Sequence, residues 1–273
     1  MADDYIPYNG QVLRTGNLVP PVKGSSLPLL SAAPGFKVWT RSEIEEAIKL
    51  RPMKRREQFA GKDWILNQAN RGSCNAAAAT GALRRTMVLG GRNDVPQLAW
   101  EFLYAQINGG QDNGSMLDDG MNAITRIGIP LLNLQKHPLN RDILKSKYTP
   151  EEYAQAKEWR AETCYQTDDP LELATAILGF NAAGVVAVHV GSSFTSLDKN
   201  GYVGVDHGPG NHAVGVSDVE LINGKLAFDH NGSWGVDMHD HGYGYLDWDA
   251  HLAQTSRNHQ FYVIIGATNP GTH

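Results

Sequence analysis

A cysteine that opens a helix is well placed to be a nucleophile, and Cys74 stands at such a point. The polar run Asn67-Gln68-Ala69-Asn70-Arg71-Gly72-Ser73 leads straight into Cys74-Asn75 and four alanines, with no helix breaker before Gly81. Unpaired N–H groups and the positive end of the helix dipole lower a thiol pKa there, so an exposed Cys74 is expected to react as a thiolate near neutral pH. Alone, a small residue in an alanine helix is more often packing. Three further features change that weighting: Gln68 six residues upstream, Asn211-His212-Ala213-Val214, and Asn231-Gly232-Ser233-Trp234-Gly235.

This set resembles the papain superfamily of cysteine peptidases: a Gln six residues before a Gly-Ser-Cys helix start, a His-Ala-Val strand and an Asn-Ser-Trp-Gly turn. In that family the His and Asn follow the Cys by roughly 130–150 residues; here His212 lies 138 and Asn231 157 residues beyond Cys74. The resemblance, over roughly residues 61–265, implies peptide-bond hydrolysis through a Cys74 thioester, with His212 as general base and acid. Gln68 and the Cys74 amide would stabilise the oxyanion, a donor of this kind being worth about 2.7–4 kcal/mol in the transition state. Gly72 and Ser73 would line the site, as would Asn211 beside the base and Trp234 over it.

Asn231 departs from the pattern, because Gly232 separates it from Ser-Trp-Gly. Two readings stand: a one-residue bulge turns Asn231 towards His212, or Gly232 takes the asparagine's place and water, His230 or a carbonyl orients the base. Glycine suits an irregular backbone, which favours the bulge. Asn113-Gly114-Ser115 resembles the family's Asn-Gly-Gly segment, whose backbone pairs with substrate, although Gly114 serves equally as a turn into the next helix. Arg71 stands where secreted relatives carry half of a disulfide, so that bridge is missing.

Other clusters carry less. Asp229, His230, Asp237, His239, Asp240 and His241 are metal-ligand types but lack zinc-motif spacing, so a hydrated loop with no metal is expected. Lys54-Arg55-Arg56 reads as a solvated helix end, and Cys164, expected in or just after a loop, has no chemical partner. Nothing calls for a cofactor.

To position these groups the chain must fold as α+β, since helical patterns dominate the first half and strands the second. The resemblance makes this a two-lobed fold with the site in the cleft between a helical lobe and an antiparallel, barrel-like lobe. Residues 1–60 read as an N-terminal extension: a Pro/Gly-rich extended arm to about residue 36, then a helix capped by Ser42 and Glu45 and running towards Pro52. Residues 61–273 form the catalytic domain, 61–165 helical and 166–273 β. Further helices are expected over 96–107, 150–159 and 171–178, and strands over 184–190, 212–219, 225–229, 242–246 and 260–265, with Val185 to Val190 lining the groove.

The arm is either an inhibitory propeptide or a docking element for an assembly partner, and its removal is expected to leave the fold intact. With 24 basic and 29 acidic side chains the charge excludes a strongly basic polyanion-binding protein. The expected partner is a polypeptide substrate, with no nucleic acid or membrane. Two cysteines and no apolar leader or 18-residue apolar run point to a reducing compartment such as the cytoplasm, with a virion component as a compatible setting.

Overall fold

An alanine-rich helix can be approached closely from every side, and the architecture is assembled around one. The computed structural model describes residues 5–18, 25–59, 63–133, 135–136, 143–252 and 261–268. Helix α2 (Cys74–Leu89) is buried along nearly its whole length. On one side it packs against α3 (Trp100–Ile107) and α4 (Leu117–Arg126), and on another against a six-stranded antiparallel sheet. The sheet contains β3 (Ala161–Thr167), β4 (Ala183–Val188), β5 (His212–Ile222), β6 (Lys225–Asn231), β7 (Tyr243–Asp247) and β8 (Phe261–Ala267), in the order β3-β8-β4-β5-β6-β7. The α+β arrangement of helical and sheet lobes is as the sequence pattern requires.

Strand alternation divides the core. Val185, Ala187, Ala213, Tyr262 and Ile264 face α2, while Val186, Val188, Val214, Val216 and Val263 face the opposite layer around α6 (Pro170–Gly179). Every residue of β4 is therefore buried. It is a central core strand, not the groove wall expected from Val185 onward.

Several boundaries differ from expectation. Helix α1 (Arg41–Leu50) is capped two residues earlier, by a reciprocal Thr40–Glu43 box in place of Ser42 and Glu45. The 96–107 helix begins only at Trp100, after Leu98 has made a bridge to Leu131. Helix α5 (Pro150–Ala156) stops short of Trp159, and Cys164 lies inside β3, buried and accepting a hydrogen bond from the Thr125 hydroxyl. No helix among the described residues is long and apolar enough to cross a membrane.

The Lys54-Arg55-Arg56 run is not a solvated helix end. Arg55 is buried and donates to the Ile177 and Ser217 carbonyls, and Arg56 forms a two-pronged pair with Asp229 of β6. A buried cation and a half-buried one beside a sheet need such partners. They clamp the extension onto the β lobe.

The first residues are not a plain extended arm. Tyr5–Tyr8 (β1) and Gln11–Arg14 (β2) pair as a hairpin closed by Asn9-Gly10, both at positive φ. Ile6, Leu13, Leu30, Ala33 and Ile44 join the sheet-lobe core. Deleting residues 1 to 36 therefore removes core side chains, contrary to the expectation of a neutral truncation.

Candidate active site

Gln68 and Cys74 are held together by a tightly bonded turn. The Gln68 amide donates to the Ser233 carbonyl at 2.7 Å, and its side-chain oxygen accepts from the Ser233 hydroxyl. Its Nε2 donates to the Arg71 carbonyl (2.6 Å) and to the Arg14 carbonyl (3.1 Å). Asp112 takes the Gly72 N–H at 2.9 Å and the Tyr104 hydroxyl at 2.7 Å, and forms an ion pair with Arg71. An ion pair thus ties Arg71, the residue three before Cys74, to Asp112. Ser73, fully buried, precedes the helix without capping it by its side chain.

Cys74 opens α2, but its thiol is not exposed. Burial pushes its pKa up to about 12, opposed by the backbone amides of Ala213, Asn75, Gly16 and Cys74 itself. The expected low-pKa thiolate is overturned in this conformation: complete desolvation outweighs the helix-start effect. The Ala213 contribution also shows that the beginning of β5 lies against the thiol.

The cause of that burial is the chain's own N-terminal segment. Residues 14–18 cross the cleft in extended form. The Gly16 and Asn17 amides donate to the Asn211 carbonyl at 3.2 and 2.9 Å, the Ser115 amide donates to the Gly16 carbonyl at 2.9 Å, and the Leu18 amide donates to the Ser115 carbonyl at 2.9 Å. Asn17 thus pairs with Ser115 in parallel register. A Cβ on Gly16 would lie 2.2 Å from the Gly72 carbonyl oxygen, and one on Gly114, at φ +87°, would lie 2.4 Å from the Gly16 carbonyl oxygen. Only glycines allow this approach. Ser115 and Asn211 hold the segment through main-chain atoms, Gly72 and Gly114 through close packing, whereas the exposed Asn113 bonds Gln111 and takes no part.

Across the cleft, His212 starts β5, fully buried and stacked on Trp234 with ring centroids 4.1 Å apart and planes 20° from parallel. Among the described residues neither ring nitrogen has a hydrogen-bond partner, and burial, followed by the proximity of His239, pulls its pKa down to about 3. Asn231 does not reach it. In the register Gly215 pairs with Asn231, so Asn231 points to the α2 face, into space left by Gly81 and Gly215, while His212 and Val214 point away. The irregularity of this strand pair falls between Val216 and Asp218, not at Gly232. The favoured bulge is therefore absent, and Gly232, one residue on, is on the face that His212 occupies; a Cβ there would meet the Gly242 carbonyl oxygen at 3.9 Å.

The acidic and histidine cluster is not a hydrated loop throughout. Asp229 and His230 are buried on β6, and the His230 ring lies 5.5 Å from His239, whose Nε2 donates to the Phe194 carbonyl at 2.6 Å. Among the described residues no group of His, Cys, Asp or Glu is arranged to hold a metal. Sequence reasoning missed Asp112, Ser233, Arg14 and Gly16. A charged Arg71 in a cysteine's place was the one available signal, because it calls for an acidic partner.

The arrangement of a helical lobe and an antiparallel sheet lobe is shared with solved structures to which the chain is similar. The fold is papain-like. The chain superposes on xylellain, a cysteine protease from Xylella fastidiosa, with a TM-score of 0.58, 16% identity, 91% of this chain and 98% of that one covered. It is similar also to procathepsin B from Trypanosoma congolense (0.62, 16%, 93% and 87%) and to a recombinant stem bromelain precursor (0.64, 16%, 94% and 78%). No protein-family model and no curated protein sequence matches.

Proposed function

We propose that this chain is a papain-like cysteine endopeptidase held latent by its own N-terminal segment. Cys74 Sγ attacks a peptide carbonyl while His212 takes the thiol proton. The oxyanion accepts hydrogen bonds from Gln68 Nε2 and the Cys74 amide. His212 then protonates the leaving amine, and water hydrolyses the Cys74 thioester by the same proton transfers in reverse. The observation that carries the reading is the extended peptide already in the cleft, bonded by main-chain atoms to Asn211 and Ser115 and by its Arg14 carbonyl to Gln68. A groove that recognises backbone accepts polypeptide as substrate.

Latency follows from burial: at neutral pH thiol and imidazole are both uncharged, with the segment excluding solvent and substrate. Gly16→Val in the full-length chain should expel it. Turnover of a fluorogenic peptide should rise in that variant and vanish on adding Cys74→Ala; turnover that survives the second change would remove Cys74 from the mechanism.

A second reading, a papain-fold binding or structural component with little proteolytic activity, draws on Gly232. Without a carboxamide there, His212 has no side chain to fix its orientation. Gly16→Val that binds peptides but cleaves none would favour it.

A further inference from the structure

The residue whose carbonyl meets Gln68 is an arginine, and the cleft holds its side chain as well as its backbone. Arg14 Nη1 lies 3.0 Å from Asp112 Oδ2, and Nη2 donates to the Asp112 carbonyl at 2.6 Å. The Asp112 carboxylate is fixed for this contact, because its other oxygen is engaged by the Tyr104 hydroxyl and the Gly72 amide. Both side chains are largely shielded, at 16% and 20% exposure, which strengthens a charged contact relative to one in open water. Arg71 shares Oδ2 at a longer 3.4 Å.

We propose that Asp112 is a specificity-determining residue, forming with its own carbonyl a subsite for an arginine side chain of the peptide substrate. For its use in catalysis this rests on the peptidase reading above; the binding itself does not. Two acceptors on one residue match the planar fork of a guanidinium better than the single point of an ammonium, so arginine is preferred to lysine. Arg14 fills the subsite in the latent chain. When the segment leaves, the carboxylate loses that partner, and a substrate arginine replaces it.

The test uses full-length Gly16→Val/Cys74→Ala, in which the segment is displaced and no cleavage interferes. A short labelled peptide with one arginine among Gly and Ala is compared, by fluorescence anisotropy, with the same peptide carrying citrulline, the neutral isostere. Arginine should bind about tenfold tighter or more, and Asp112→Asn, which keeps an acceptor for Tyr104 and Gly72, should erase the difference. Arg14→Ala/Asn17→Ala/Cys74→Ala, which loosens the segment without a clash, is measured in parallel. Equal affinity for the two peptides, a preference that survives Asp112→Asn, or no binding by either displaced variant overturns the subsite. Arginine preference in binding with no cleavage by the Cys74-containing chain overturns the peptidase reading instead and leaves the subsite standing.

Discussion

The two sides of the cleft are built to different standards. On the helix side, hydrogen bonds tie Gln68 to the Arg71 and Arg14 carbonyls, Gly72 to Asp112 and Ser115 to Asn75 around Cys74, although among the described residues Ser73 Oγ and Arg14 Nε are buried without a partner there. On the sheet side, both nitrogens of His212 and of His230, Nδ1 of His239 and Oδ1 of Asn231 are buried without a partner among the described residues. The contrast follows from chain connectivity. One local turn and its Asp112 tie complete the helix side, whereas the sheet side needs three strands in register, and there the pairing of Asn231 with Gly215 sets its side chain on the face opposite His212.

The largest effect expected from this contrast is on the nucleophile. In the Gly16→Val background, Cys74→Ala should abolish turnover of a fluorogenic peptide, and Cys164→Ala, on a strand far from the segment, should leave it nearly intact. Gln68→Ala in the same background should lower kcat by about 10²–10³-fold, the usual loss for one oxyanion donor; a change confined to KM would assign Gln68 to the segment alone.

The sheet side admits a gain. Gly232→Asn places a carboxamide on the face that His212 occupies, and its Cβ meets nothing closer than the Gly242 carbonyl oxygen at 3.9 Å. It should raise kcat by about tenfold with little change in KM, since even a 1 Å misplacement of a catalytic group can cost about 10²-fold. No gain would mean that His212 is already oriented, and the contrast between the two sides would lose its catalytic meaning.

Acid should reveal the same asymmetry as lost stability. Burial depresses the pKa of His212 to about 3 and lowers those of His230, His239 and His251. Between the ordinary value near 6.5 and these lower values the unfolded chain binds more protons, so stability falls as pH drops through that window. Asp229, raised to about 6 by burial, and Asp119, also raised by burial, work the other way, being protonated sooner in the folded chain, but they are two groups against the four imidazoles, with the lowered carboxyls of Glu43, Glu151 and Asp198 also losing stability as pH falls. Chemical denaturation midpoints should therefore decline from pH 7 to pH 4, and His230→Gln should flatten the decline; a midpoint that rises on acidification contradicts the assignment of these imidazoles as buried and neutral. Last in size, Leu30→Ala, in the core beneath the extension, should cost about 2–5 kcal/mol, whereas removal of exposed Leu50 should cost almost nothing.

How much of this was legible in the sequence depended on range. The Gln-to-Cys spacing and the helix start are local, and the structure gathers them as the pattern suggests. Asn-Gly at 9–10 was a hairpin signal hidden in a Pro- and Gly-rich stretch. The clamps formed by Arg55 and Arg56 were not visible, since their partners lie 122 to 173 positions away. Nor was the covered cleft: it depends on Gly16 meeting Gly72, Gly114, Ser115 and Asn211, a coincidence that only the fold creates. The fate of Asn231 was undecidable from spacing, because a bulge at residue 232 and regular pairing differ by one position yet send the side chain to opposite faces.

The proposal that Cys74, beneath the crossing segment, is a nucleophile activated by His212 is tested most directly by alkylation. Iodoacetamide adducts on Cys74 and Cys164 are followed by peptide mapping in the wild-type chain, in Gly16→Val, and in Gly16→Val/His212→Ala. The account predicts that Cys74 reacts as slowly as buried Cys164 in the wild type, far faster once the segment is displaced, and slowly again without His212. A displaced-segment chain in which Cys74 stays as inert as Cys164, or reacts equally fast without the imidazole, contradicts it.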